Sequence, residues 1–157
     1  MFKTDINIRE AKLSDLDLLR KFEQEVIMYE RPFAPNLKND PIQYYDLEKL
    51  IHDKDSYLLV ATLNDDIIGT GYSVIETSEP FKKPGKYAYL GFMFVKPQHR
   101  GKGVNGKIID ALIDINKANG ITEVQLDVYA ENQSALKAYK KKGFTEDLLK
   151  MRLNTEQ

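Results

Sequence analysis

Apolar positions along the 157-residue chain change their period several times, and each change marks an element. Residues 6–11 (INIREA) predict a short edge strand. From Ser14 the period lengthens: Leu16, Leu19, Phe22 and Val26 recur at helical spacing to about Tyr29. Ser14 and Asp17 form an S-x-x-D capping box at the start of that helix. Arg31, Pro32 and Pro35 end it. Asp40-Pro41 then predicts a second helix, with aspartate as N-cap and proline in the first turn. It runs to about His52, with Tyr44, Leu47 and Ile51 on one face.

The period then shortens. Tyr57–Leu63 and Ile67–Ile75 read as a hairpin around Asn64-Asp65-Asp66. SEPFKKPGK is a polar loop. Tyr87–Val95 (YAYLGFMFV) is nearly all apolar, which predicts a central strand buried on both faces. Gly101–Asn119 reads as a helix with Val104, Ile108, Leu112 and Ile115 inward, stopped by Gly120. Ile121–Tyr129 alternates as a strand, Asn132 caps a helix that ends at Gly143, and Phe144–Leu153 reads as a final strand. The order is β-α-α-β-β-β-α-β-α-β. It predicts one α/β domain, residues 1–157, with a central mixed sheet flanked by helices. The unit at 87–129 should be a right-handed parallel crossover.

The densest local signal is VKPQHRGKGVNGKII, residues 95–109. A buried strand runs into a glycine-rich loop, and the loop opens a helix. The N–H groups of such a loop and first helical turn converge at the positive end of the helix dipole and suit phosphate oxygens. Glycine permits the close approach. Arg100 and Lys102 add positive charge. Gly101-x-Gly103-x-x-Gly106 also matches the dinucleotide fingerprint, with Glu123 about 20 residues on. Against that reading, Lys96–Arg100 separate the strand from the glycines, and further β-α units are lacking. Gly101-x4-Gly106-Lys107 matches most of a P-loop, yet Ile108 stands where a Mg²⁺-holding hydroxyl is needed.

A third pattern fits better. Gln98-x-x-Gly101-x-Gly103, preceded by V-x-P, resembles the acetyl-CoA signature of the GNAT superfamily of N-acetyltransferases. Asn132-x-x-Ala135-x-x-Ala138-Tyr139-x-x-x-Gly143-Phe144 resembles that family's second signature. The resemblance covers about residues 5–153 and departs from the usual pattern at Asn105, where a small residue is commoner. It implies a GNAT-like fold and a transferase that uses acetyl-CoA, with no metal. The pantetheine arm would pair with the backbone of Phe94 and Val95. The pyrophosphate would take N–H groups of Arg100, Gly101, Lys102, Gly103, Val104, Asn105 and Gly106. Asn132 reads as a helix N-cap, and the family adds a contact to pantetheine. Ala135 would keep that helix face low beside the cofactor. Tyr139 would protonate the departing thiolate as general acid. An N–H near Val95 would stabilise the oxyanion.

The base is open. Relatives often carry a glutamate on the strand equivalent to Tyr87–Val95, whereas this strand has no Asp or Glu, and Gly91 and Phe92 occupy stretches that are often acidic. An alkylammonium with pKa near 10 must lose a proton before it attacks. Glu30, Asp46 and Glu76 are candidates, as is a water chain to bulk solvent. The acceptor side should come from the segment around the first two helices, rich in aromatics and acids. Tyr29, Glu30, Phe33 and Tyr44 belong to it, and Tyr72 and Tyr89 could line the same cavity. Carboxylates pair with a cationic amine and aromatic faces attract it.

Composition narrows the rest. Hydrophobic residues make up 42% of the chain, enough for one core. There is no cysteine, which excludes disulfides, thiolate metal sites and cysteine nucleophiles. No stretch approaches the roughly 18 apolar residues of a membrane span, and MFKTDINIRE has no apolar h-region. A cytoplasmic protein is the expectation. Residues 1–80 hold 9 Lys/Arg and 16 Asp/Glu, and residues 81–157 hold 14 and 8. An anionic cofactor on the basic half accounts for this, as does attraction between the two halves, and no nucleic-acid motif is found. The expected partner is an amine-bearing small molecule or peptide, and the resemblance allows a homodimer. The rival reading is a non-catalytic CoA- or acyl-CoA-binding sensor.

Overall fold

The computed structural model describes residues 5–156, which divide into two compact units, one ending at Asp127 and the other starting at Val128. The first unit holds a five-stranded sheet in the order β1 (Asn7–Glu10), β2 (Ser56–Leu63), β3 (Asp66–Thr77), β4 (Lys86–Val95), β5 (Val124–Leu126). The first four strands pair antiparallel, and β4 pairs parallel with β5. Helices α1 (Leu16–Glu30) and α2 (Leu47–His52) precede β2, and α3 (Val104–Ala118) links β4 to β5. Asn64 and Asp65 turn the β2–β3 hairpin with φ of 51° and 68°, the left-handed pair that a tight two-residue turn requires. Leu16, Leu19 and Phe22 of α1 and Leu47 of α2 bury against Leu58, Val60, Phe92 and Phe94. Val104, Ile108 and Leu112 of α3 are buried, as their spacing predicts.

The start of α1 differs from expectation. The capping interaction sits one turn earlier, on the 3-10 turn Leu13–Asp15 that leads into α1: the Asp15 carboxylate accepts the Lys12 N–H at 2.7 Å and pairs with Arg9 at 2.8 Å. Asp17, expected in a capping box with Ser14, has a side chain 99% exposed. The second helix is also shorter than predicted. Asp40 pairs with Arg31 at 2.7 Å instead of capping a helix. The reason that 41–46 stay non-helical is Glu23. This residue is 1% exposed, and its Oε2 accepts the N–H groups of both Tyr44 and Tyr45 at 2.8 Å. Those donors are thereby lost to a helix. Asp46 then caps α2 by accepting the Lys49 N–H at 3.1 Å.

Strand β4 is not buried on both faces. Ala88, Leu90, Phe92 and Phe94 are buried, while Tyr87, Tyr89 and Gly91 are half-buried. The strand also carries a bulge. Thr70 pairs with Phe94 but Tyr72 pairs with Gly91, so β4 has one residue more than β3 across this interval. Phe92 takes the extra place with φ of +54°. Pairing with β5 stops just before it, at Leu90↔Leu126. β5 thus has three residues where Ile121–Tyr129 was expected. The helix expected from Gly101 begins at Val104, because Gly101 and Gly103 take left-handed φ of 75° and 81°.

In the second unit Asn132 caps α4 (Gln133–Lys142), its Oδ1 accepting the Ala135 N–H at 3.2 Å. Gly143, with φ of +110°, ends it, and the Phe144 N–H returns to Tyr139 O at 3.0 Å. The final strand expected over Phe144–Leu153 does not form: no ladder involves these residues among those described. Its apolar residues Leu148, Leu149, Met151 and Leu153 are each at least 69% exposed. The observed order is β-α-α-β-β-β-α-β-α. The mixed sheet with flanking helices is the architecture that the sequence predicts, less its last strand.

Candidate active site

One half of the site is made of backbone. The Lys96 N–H donates to Ile68 O at 2.8 Å, so by the alternation of an antiparallel ladder Val95 turns its own N–H and C=O away from β3. That is the side on which β5 has stopped pairing. Phe94, one residue back, turns its backbone groups toward β3. The two residues expected to share one cofactor contact therefore divide: Val95 presents its N–H to the open edge, and Phe94 turns its backbone to β3 and its ring to the core. Arg100 folds back onto this edge. Its Nε donates to Val95 O at 2.9 Å, and its guanidinium stands 5.8 Å from the Phe94 ring centre.

The glycine loop follows. A Cβ added to Gly101 or Gly103 would meet nothing within 4 Å, so these glycines serve conformation and access and fill no packing role. The first bond of α3 runs from the Lys107 N–H to Gly103 O. The N–H groups of Val104, Asn105 and Gly106 thus lack an intrahelical partner and sit at the positive end of the helix. Lys102 is exposed beside them. This set of donors fits the phosphates of a nucleotide cofactor, and the Val95 edge fits an amide-bearing arm.

The other half is made of side chains. Glu30 ends α1 half-buried, and burial pushes its carboxyl above the usual value while a hydrogen bond with Tyr44 holds part of the rise back. Tyr44, Tyr45 and Tyr72 follow one another edge to face, with ring centres 5.6 Å apart at each step. Tyr45 stacks on Phe92 at 4.8 Å. Tyr89 donates its hydroxyl to Asp127 Oδ2 at 3.1 Å. Burial raises the phenols of Tyr45, Tyr72 and Tyr89, and neighbouring charge adds to it: Glu30 at Tyr45, Glu76 and Asp127 at Tyr72, Asp127 at Tyr89. All three therefore stay protonated at neutral pH, as hydrogen-bonding groups and aromatic faces. An open hollow of about 190 Å³ lies beside Tyr44, Tyr45, Asp46 and Tyr72.

The structure thus brings Glu30, Tyr44, Tyr72 and Tyr89 into one neighbourhood. Glu76 is at the exposed end of β3, near enough to act on Tyr72. Asp46 borders the hollow, but its carboxylate is engaged as a helix cap. Tyr29 and Phe33 pack on each other at 5.8 Å, with Tyr29 50% exposed. Asn132, Ala135 and Tyr139 belong to the second unit, where Asn132 is buried as a cap and the half-buried Tyr139 ring meets Phe144 edge to face at 5.8 Å. Lys140 pairs with Glu146 at 3.1 Å.

Two residues escaped sequence reasoning. Asp127 alternates with Gln125 on the polar face of a strand, and that face was its one legible sign. Glu23 sits inside an ordinary polar stretch of α1, and nothing local announces that it is buried.

Residues 23–144 match the family model described as the acetyltransferase (GNAT) family. Among curated proteins, N-alpha-acetyltransferase 30 of Schizosaccharomyces pombe is 26% identical over 106 residues, covering 68% of this chain and 69% of the relative. Among solved structures, a Bacillus halodurans protein superposes with a TM-score of 0.81 at 25% identity, covering 94% of this chain and 99% of that one. A Clostridium acetobutylicum protein described as a predicted acetyltransferase with acetyl-CoA gives 0.73 at 21% identity, covering 96% of each. The family match spans both the glycine loop and α4, and the chain belongs to the GNAT family of acetyl-CoA-dependent N-acetyltransferases.

Proposed function

We propose that the protein transfers the acetyl group of acetyl-CoA to a primary amine of a small molecule or peptide by direct attack. The observation that carries this is the interrupted ladder of β4. Val95 turns an N–H to an edge that β5 has left, five residues before the phosphate-type loop begins. Acetyl-CoA supplies the acetyl thioester. Glu30 takes a proton from the acceptor ammonium, freeing the nitrogen lone pair. The C–N bond forms as the C–S bond breaks, and the second amine proton leaves to solvent. The Val95 N–H faces the carbonyl oxygen as charge builds there. Tyr139 donates its proton to the leaving sulfur. Arg100 and the N–H groups of 101–106 hold the phosphates, and Asn132 serves pantetheine beyond its role as a cap. The cluster of tyrosines with Glu30, Glu76 and Asp127 suits a cationic acceptor. The Schizosaccharomyces pombe relative is named as an N-alpha-acetyltransferase, and an aminoglycoside N-acetyltransferase solved with CoA superposes with a TM-score of 0.73 at 19% identity, covering 94% of this chain and 99% of that one. Both names are in keeping with an amine acceptor. A cytoplasmic setting agrees with the use of acetyl-CoA.

The test is ligand-induced stabilisation followed by turnover. A ligand at 100 times its Kd adds about 2.7 kcal/mol, and each kcal/mol moves the midpoint by about 2–4 °C in a chain of this size. Acetyl-CoA should raise the melting midpoint, and NAD and ATP–Mg²⁺ should not. Thiol release should then follow with at least one member of a panel of peptides with free N-termini, polyamines and aminoglycosides. Tyr139→Phe should lower kcat about 100-fold. Stabilisation by acetyl-CoA with no thiol release on any amine would replace the transferase with a sensor. Stabilisation by NAD alone would overturn both.

A further inference from the structure

Gly91 and Tyr72 face each other across the β3–β4 ladder. A Cβ built on Gly91 would overlap Cζ and the hydroxyl of Tyr72, so the phenol lies where a side chain at 91 would stand. Gly91 is also the last residue of β4 before the left-handed Phe92, and the first beyond the end of β5 pairing. The ring is held from a second direction by Tyr45, 5.6 Å away and tilted by 73°, which is itself stacked on Phe92. The phenol oxygen is therefore fixed against the strand backbone at the place where that backbone departs from the sheet. The strand carries no carboxylate, and at position 91 the phenol from the neighbouring strand fills the room that a side chain would take.

We propose that Tyr72, seated over Gly91, is the residue that positions the acceptor nitrogen, its neutral phenol oxygen accepting a hydrogen bond from the amine. This rests on the transferase reading above. Burial and the nearby Glu76 and Asp127 carboxylates hold the phenol in its protonated form, so Tyr72 orients the amine and does not take its proton. Gly91 is the enabling partner, since any side chain there would expel the ring.

Tyr72→Phe removes one oxygen and keeps the ring. It should raise KM for the amine about tenfold, the scale of a hydrogen bond to a charged group. The KM for acetyl-CoA, the stabilisation by acetyl-CoA and the acidic limb of the pH profile should stay as in the wild type. Gly91→Ala should cost at least as much, and Tyr72→Phe added to it should cost little more, since both break one contact. Tyr72→Ala with Gly91→Ser returns a hydroxyl to the vacated place, and its amine KM should fall below that of Tyr72→Ala alone. An amine KM within twofold of wild type for Tyr72→Phe, or additive losses in the double variant, would overturn the positioning role while activity persists. A wild type that binds acetyl-CoA but acetylates no amine would instead bring down the transferase reading on which it rests.

Discussion

The two halves of the site are built on opposite principles. The proposed cofactor half is a continuous stretch, Val95 to Gly106, and offers main-chain groups placed by a bulge and two left-handed glycines. The proposed acceptor half gathers Glu30, Tyr44, Tyr45, Tyr72, Tyr89 and Asp127 from separate segments, and offers side chains placed by tertiary packing. A backbone site tolerates change in most of its side chains but not in its conformation. A side-chain site is the reverse: its chemistry can be rewritten residue by residue on an unchanged frame. That division suits an enzyme that keeps one donor and varies its acceptor.

The harshest test of the first principle is Gly103→Val. A β-branched residue is strained at φ of +81°, although its Cβ would have open space. The loop should relax away from its donor geometry while the core stays intact. Acetyl-CoA affinity should fall by about 100-fold or more, as read by titration calorimetry, with the melting midpoint of the unliganded protein nearly unchanged. Val104→Ile, which alters only a buried side chain, should leave affinity within about threefold. If the two variants behaved alike, the cofactor half would not be a backbone site.

Glu30→Gln probes the other principle. It should lower kcat about 100-fold, the lower end of what general base catalysis supplies, and leave acetyl-CoA binding unaltered. The pH profile is the sharper readout. Burial raises the Glu30 carboxyl above its usual value, and the base proposed here needs the carboxylate form. Wild-type activity should therefore fall as the pH drops through that raised value, and the variant should lose that limb. Retention of the limb would move the base elsewhere, with Glu76 the next carboxylate to change.

The same division explains what the sequence discloses. The glycine loop, the caps at Asn132 and Gly143, and the β2–β3 turn are local, and residue type and spacing reveal them. The bulge at Phe92 is not local, because it is a mismatch between two strands and an apolar run shows no sign of it. The second helix misleads for a related reason: Asp40-Pro41 has the right chemistry for a cap, but a buried carboxylate 21 residues before Tyr44 claims the donors. The last strand fails because alternation can propose a strand but cannot supply the neighbour that a ladder needs.

Glu23 lets that long-range dependence be measured. Glu23→Ala would strand the Tyr44 and Tyr45 N–H groups beside an emptied core position. It should destabilise the fold by about 2–4 kcal/mol in urea unfolding. Because these groups fix the segment that carries two of the site tyrosines, amine KM should rise as well, with acetyl-CoA KM constant. Glu23→Gln retains an acceptor oxygen and should recover most of both losses. Equal damage to the two Michaelis constants would mean that the halves are not separately supported.

The smallest effect belongs to the far end of the same helix. Asp15 accepts two hydrogen bonds from Arg9, at 2.8 and 3.2 Å, and one from the Lys12 N–H. The Arg9 hydrogen bonds do most to hold its pKa below 3.8. A depressed carboxyl contributes stability that is present above the unfolded-state value and lost as pH falls through the folded-state one. Asp15→Asn should therefore cost about 1 kcal/mol at neutral pH, a figure kept small because the Arg9 side chain is 35% exposed and the pair is screened. The gap from wild type should close as the pH drops below 3.8 and narrow with added salt. Neither Michaelis constant should move, since this contact anchors the start of α1 and Glu30 stands at its other end. A shift in amine KM on Asp15→Asn would mean that α1 transmits strain along its whole length, and that the acceptor half depends on the placement of the entire helix as well as on the side chains at its last turn.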